Sequence, residues 1–308
     1  MQTGPVTVAV PATSANLGPG FDVLGLALDL EDEVTAEVGP DGFHVEVSGE
    51  GAGEVPGDES HLIVATMLRT FAVLGVAAPA GLRLTCRNRI PHARGLGSSS
   101  AAIVAGILLA RALVEAPAAG FNGAAVLRLA AEIEGHPDNV APCLLGGFTI
   151  AWTGDAGAQA VRLEPAPEIR PTVYVPDVRG LTAHARAALP ETVPHRDAVF
   201  NVARTALLVH ALTSAPEHLL AATDDRLHQP YRAPALPESA ALVSALREAG
   251  VAAFVSGAGP SVLALSTPGQ EPLDPPSGWW SRSLSYSATG ARIVIPRHAE
   301  GDPVAAGP

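Results

Sequence analysis

The chain has 308 residues, 47% of them apolar, which is enough for a sizeable core and more than one typical core holds, so two lobes are expected. A net charge of −12 excludes general affinity for nucleic acid or anionic lipid, and no uninterrupted apolar run reaches the roughly 18 residues of a membrane-spanning helix. All 19 basic residues are arginine, so no lysine is available to clamp a phosphate, form a Schiff base or act as a general base.

In chain order, Pro5–Val10 alternates as a strand, and Pro11–Gly25 reads as a Gly/Pro-rich turn segment. Apolar alternation returns around Glu33–Val38 and Phe43–Val47. Ser60–Leu74 has helical spacing, and Leu82–Asn88 is a further strand. Ser98–Val114 is apolar nearly all round, as a buried helix would be. Ala124–Glu134 is a second helix, stopped by Gly135 and Pro137.

Asp155–Pro171 is polar and rich in Pro and Gly, which sets an expected lobe boundary near residue 155: an ATP-binding lobe over 1–155 and a second lobe over 156–308. In the second lobe the pattern predicts a strand at Thr172–Val175 and helices at Ala198–Thr213, Glu217–Thr223 and Ser239–Ala249. Two strands, Val251–Val255 and Ser261–Leu265, hinge on a Gly-Ala-Gly-Pro turn. The tail from Ala299 is expected to be disordered. Strands and helices mix without regular βαβ alternation, which predicts an α+β fold. Cys86 and Cys143 stand in no CxxC pair, so a zinc site or disulfide framework is not expected. The first eleven residues lack a basic head and an apolar run, which predicts a cytoplasmic protein without a signal peptide.

The most informative segment is Ile90–Ala102, IPHARGLGSSSAA. Gly95 and Gly97 permit close backbone approach to a ligand. Ser98, Ser99 and Ser100 are placed to cap the helix that follows. That helix start presents unpaired N–H groups and the positive end of a dipole, an anion seat suited to polyphosphate. Arg94 is expected to add a charge, and a serine hydroxyl to offer Mg²⁺ an oxygen ligand. The segment lacks the lysine of a Walker A loop and the third glycine of a dinucleotide fingerprint.

Three further segments resemble this one in composition. Pro11–Gly25 carries Asn16 and Asp22 in a Gly/Pro setting. Glu132–Gly147 carries Glu134, His136, Asp138 and Asn139. Glu132 and Glu134 lie roughly 200° apart around a helix, so they cannot share a site, and Glu134 is nearer the turn. Val255–Val262 is glycine-dense between strands. Each has an ordinary structural reading as well: a local cap, solvated helix glutamates, and a hairpin.

Taken together, these segments resemble the superfamily of galactokinases, homoserine kinases and mevalonate kinases, and most closely the homoserine kinases. VAVPATSANLGPGFDVLGLAL (Val8–Leu28), RGLGSSSAA and FVSGAGPSVLAL match the family's three motifs. EGHPDNVAPCLLGG, LTAHARAALP (Leu181–Pro190) and HQPYRAPALP (His228–Pro237) agree as well. The likeness runs from about Val6 to Leu265 and is poor beyond Ser266.

The resemblance implies a ribosomal-S5-domain-2-like N-terminal lobe and a ferredoxin-like C-terminal lobe with the site between them. It implies transfer of the ATP γ-phosphoryl group to the hydroxyl of L-homoserine, a step of threonine biosynthesis, with Mg²⁺. It also admits a homodimer. For the substrate it implies Arg186 and Arg232 for the α-carboxylate, and Asn16, Asp22, His136 and Asn139 around the ammonium. Thr182, Asp22 and Arg186 are implied at the reacting groups, without deciding whether Asp22 takes the hydroxyl proton. ATP is implied on Pro91, His92, Ala93, Arg94, Gly95, Leu96, Gly97, Ser98, Ser99, Ser100 and Ala101, with Gly257 and Gly259. His61 stands where an asparagine near the adenine is expected. Ser99 and Glu134 are implied for Mg²⁺. The rival readings are another kinase of the superfamily, of mevalonate type, which has no zwitterion to bind, and a non-catalytic nucleotide-binding protein, which an eroded phosphate loop would favour.

Overall fold

The computed structural model describes residues 4–114, 120–180 and 182–294, with residues 182–184 as backbone only. The N-terminal lobe is a seven-stranded sheet with helices on it. β1 (Val6–Ala15) pairs antiparallel with β2 (Leu24–Gly39). The strand character of Pro11–Ala15, expected as turn, arises because Pro11 sits at a register shift in the ladder, where a missing N–H is tolerated. β3 (Gly42–Gly49) lies parallel to β4 (Gly81–Asn88), which pairs with β2. Between β3 and β4 runs α1 (Leu62–Val73).

Helix α2 (Ser98–Leu113) buries ten of its sixteen residues, in keeping with its apolar circumference, and packs against α1, β1 and α3 (Gly123–Glu134). After the Gly135 stop the chain starts again as α4 (Pro137–Leu145). Pro137 ends nothing here. It occupies the first turn, where its fixed φ suits a helix and its lost N–H costs nothing.

β5 (Phe148–Gly154) and β6 (Gly157–Leu163) form a hairpin, and β5 pairs with β2. The expected boundary at 155 therefore falls in the tip of a hairpin that belongs to the first lobe. The Gly-Asp-Ala-Gly sequence that looked like a linker is its turn. The second lobe begins with β7 (Arg170–Pro176) and α5 (Thr182–Ala187). It continues through α6 (His195–Thr213), a 3₁₀ turn at Pro216–His218, α7 (Leu219–Ala222) and α8 (Gln229–Arg232). A second 3₁₀ turn at Ala233–Ala235 leads into α9 (Pro237–Glu248). The last strands are β8 (Ala252–Val255), β9 (Val262–Ser266), β10 (Trp279–Ser283) and β11 (Arg292–Val294).

The second sheet has the antiparallel order β10-β7-β9-β8, that of a ferredoxin-like lobe, although no helix intervenes between β9 and β10. Alternate residues of its strands feed two cores. Val173, Val175, Phe254, Leu263 and Leu265 join the main core, while Tyr174, Ala253, Val262 and Ala264 pack with Leu242 and Leu246 of α9. A sheet covered on both faces explains why β8 and β9 read as unbroken apolar runs. β11 leaves this lobe and pairs with β1 in the first sheet, so residues 156–308 do not form one lobe. The expected disordered tail from Ala299 lies outside the described residues. No described helix is long and apolar enough to cross a membrane.

Candidate active site

The segment 90–97 turns sharply because Ala93, Gly95 and Gly97 all have positive φ (54°, 76° and 71°). Two contacts require glycine as well as permit it. A Cβ on Gly95 would lie 2.2 Å from the Ser256 carbonyl oxygen, and one on Gly97 would lie 2.0 Å from Thr13 Oγ1. The loop is thus wedged between the first and third motifs. Thr13 N–H donates to the Leu96 carbonyl, Ser256 Oγ to the Gly95 carbonyl, and Ser261 N–H to the Arg94 carbonyl. From the second lobe, Gly180 N–H donates to the Ala93 carbonyl.

Gly97 itself caps α2, and among the described residues no side chain bonds to the first-turn amides. The serines, expected as caps, are used otherwise: Ser99 Oγ and Ser100 Oγ donate to the two carboxylate oxygens of Glu134 at 2.7 and 2.9 Å. The first-turn N–H groups of α2 thereby remain available to an anion. Glu132, two residues back, points the other way and pairs with Arg69 at the surface.

Arg94 departs from expectation. Its guanidinium donates to the carbonyls of Pro176, His92 and Asp177, which pins the loop to the end of β7 and leaves the charge outside the cavity. Pro91 and Leu96 are buried beneath the loop, and Ser100 is buried behind it. Gly259 lies against the back of Gly95.

The cavity in front of the loop measures about 260 Å³. Gly95, Gly97, Ser98, Ser99 and Glu134 line it from the loop, α2 and α3. Asn16, Asp22, His136, Asn139, Arg186 and Arg232 line it as well, with Gly257. Segments scattered over more than 240 residues therefore meet in one cleft between the lobes. Asn16 (φ 70°) donates through Nδ2 to the Gly257 carbonyl and accepts from the Asp22 N–H at Oδ1, both at 2.9 Å. Thr13 Oγ1 donates to Asn139 Oδ1, which turns the Asn139 amide. Arg186 meets Asp22 in a fork, with NH2–Oδ1 at 2.9 Å and NH1–Oδ2 at 3.1 Å, at a half-exposed position open to the cleft.

Arg232 is buried. It donates from Nε to the Ala185 carbonyl and from NH1 to His228 Nδ1 and the Gly257 carbonyl. His228, fully buried, donates from Nε2 to the Gly18 carbonyl at 2.7 Å. Burial pushes its pKa down, and Arg232 adds to this against the pull of Asp225. A neutral ring with Nε2 protonated and Nδ1 accepting fits all its bonds. Phe21 stacks on His228 at 5.2 Å between centroids, and the Arg232 guanidinium lies 5.3 Å from the Phe21 ring. Neither Phe21 nor His228 was singled out from sequence, although the histidine opens one of the matched stretches. His136 bonds through Nδ1 to the buried Asp138. Its own burial opposes the charge, but that bond, with Asp138 and Glu134 nearby, holds its pKa above the usual histidine value. The side chain of Thr182, at the start of α5, lies outside the described residues.

A second cavity, of about 330 Å³ and mostly apolar, adjoins the first and shares Ser98 and Ser99 with it. His61 and His92 border it. His61 caps α1, with Nδ1 accepting from the Ile63 N–H. A polyphosphate seat beside an apolar slot defines a nucleotide-dependent phosphotransferase.

Sequence comparison agrees. The chain matches the model of the GHMP kinases N terminal domain over residues 61–147 and that of the GHMP kinases C terminal over 203–273. It is 53% identical to the homoserine kinase of Streptomyces avermitilis, covering 94% of this chain and 95% of that one. It is 57% identical to that of Clavibacter michiganensis, over 86% and 84%. The solved homoserine kinase of Cytophaga hutchinsonii superposes with a TM-score of 0.81 at 27% identity, covering 96% of this chain and 98% of that one. The chain belongs to the GHMP kinase family and is an ATP-dependent kinase.

Proposed function

We propose that the protein is a homoserine kinase, transferring the γ-phosphoryl group of ATP to the side-chain hydroxyl of L-homoserine in threonine biosynthesis in the cytoplasm. One observation carries the reading: the cleft that holds the phosphate seat also presents the Asp22–Arg186 ion pair, with buried Arg232 beside it. A zwitterion fits such a pair by insertion. Its carboxylate takes the guanidinium fork of Arg186 and the NH2 group of Arg232, and its ammonium takes Asp22 and the Asn16 amide oxygen. The naming of relatives at 50% identity or more as homoserine kinases supports the same substrate.

Phosphoryl transfer needs position and charge stabilisation more than covalent help. The α2 N-terminus stabilises charge on the phosphates, and Asp22 orients the acceptor. His136, anchored by Asp138, which holds its pKa above the usual histidine value, stands at the cleft wall. Glu134 with Ser99 is a hard, all-oxygen donor set that suits Mg²⁺, which commonly takes one carboxylate, a phosphate and waters. When bound there, the ion would neutralise charge on the transferring phosphates.

A coupled ADP-release assay over a panel of small alcohols tests the assignment. Turnover is expected with L-homoserine and Mg²⁺. Equal turnover with mevalonate or galactose, or none with homoserine, would sink it.

A further inference from the structure

The apolar cavity beside the phosphate loop contains a buried carboxyl group that phosphate binding does not use. Asp32, on β2, is 6% exposed and borders this cavity. Its Oδ1 accepts the N–H groups of Arg89 (2.5 Å) and Ile90 (2.9 Å), which fixes the plane of the carboxyl group. Its Oδ2 has no protein partner among the described residues. Around it the walls are Val34, Ile63, Pro56 and Ala101. Burying a carboxylate with one oxygen idle is costly, and here burial pushes its pKa up to about 6. His61 borders the same cavity. Its Nδ1 is occupied by the α1 cap, and burial favours the neutral ring, so its remaining nitrogen carries the hydrogen.

Ser98 and Ser99 line both cavities, so a nucleotide with its phosphates on α2 has its base in this slot. The slot therefore offers a purine an idle anionic acceptor and one N–H donor. Adenine presents a 6-amino donor, whereas guanine and hypoxanthine present a 6-oxo acceptor at the same place. We propose that Asp32 is the specificity-determining residue for the nucleobase, its Oδ2 accepting from the 6-amino group of adenine and rejecting 6-oxopurines.

The inference rests on the ATP-dependent reading of the site but not on the identity of the acceptor. The test is calorimetric binding of Mg-ATP, Mg-ITP and the 6-unsubstituted purine riboside triphosphate at pH 8 without acceptor, for the wild type and Asp32→Asn. The variant keeps an oxygen for the Arg89 and Ile90 amides and presents an NH₂ group to the base. Wild type is expected to bind ATP at least about tenfold more tightly than either analogue, since an unmet or repulsive buried polar contact has about that effect. Asp32→Asn is expected to narrow or invert the ATP/ITP ratio. Wild-type affinities within twofold of each other would overturn the proposal without needing the variant. So would an Asp32→Asn protein that loses ATP and ITP equally, which is the behaviour of a residue that only holds the loop. Binding of no triphosphate by the wild type would overturn the ATP reading together with this one.

Discussion

Gly95 makes a sharp quantitative prediction because its replacement meets backbone and not a movable side chain. In Gly95→Ala the new Cβ would lie 2.2 Å from the Ser256 carbonyl oxygen and 3.0 Å from that of Gly259. A left-handed φ of 76° on a residue bearing Cβ costs about 1–2 kcal/mol. Relieving the overlap, which must part the loop from the turn after β8, costs about another 1–3 kcal/mol. The expected loss is about 2–5 kcal/mol. Gly75→Ala is the control, since Gly75 also has positive φ (68°) but nothing within 4 Å of a built Cβ. It should lose only the conformational part. Urea denaturation of both variants, with KM for ATP from ADP release, separates the two contributions. Gly95→Ala should raise that KM and Gly75→Ala should not. If the two variants lose the same stability and Gly95→Ala keeps its KM, the wedge between loop and turn is not what the contacts suggest.

Glu134→Gln should shift the Mg²⁺ concentration for half-maximal activity upward about tenfold or more, while Glu132→Gln, with its partner Arg69 at the surface, leaves it unchanged; the reverse assigns the wrong face of α3. Arg94→Ala should lose about 1–3 kcal/mol in urea by freeing three carbonyls, with kcat reduced only modestly; unchanged stability with kcat collapsed would return Arg94 to the phosphates. Asp32 has a folded pKa of about 6 against an ordinary 3.8, so its contribution to stability is full below 3.8 and is lost as pH rises through 6. At about 1.36 kcal/mol per unit, wild type should lose about 2.4 kcal/mol more than Asp32→Asn between pH 4 and 7, and parallel pH profiles would contradict the shift.

What could be read in advance was what is local. The phosphate loop announces itself because glycine, serine and an apolar helix sit within a dozen residues. The membership of Asn16, His136, Arg186 and Arg232 in one site came from motif resemblance, and the cleft does gather them. For one residue the deciding partners are distant in the chain. Arg94 looked like a phosphate charge, yet its acceptors Pro176 and Asp177 lie over eighty residues away. Asp32 is masked in sequence by its acidic neighbours Asp29, Glu31 and Glu33, although alternation with Leu30, Val34 and Ala36 puts it on the inward face of β2. The lobe boundary failed because Gly154–Gly157 has a linker's composition and a hairpin's role. Pro137 has the residue type of a stop, and its position after Gly135 makes it a start.

The pairing of β11 with β1 bears on how the molecule is made. Val294, Ile293 and Arg292 meet Thr7, Val8 and Ala9, so β1 waits for a strand made after the second lobe before its outer edge is covered. Until then β1 offers an open row of amides and carbonyls, a template for any other extended chain. The first lobe is thus not a module that can be excised at one cut, grafted or expressed by itself, because its sheet is closed by residues made after the second lobe. Unfolding of the two lobes should be coupled for the same reason, with the first sheet closed only after the second lobe has been made.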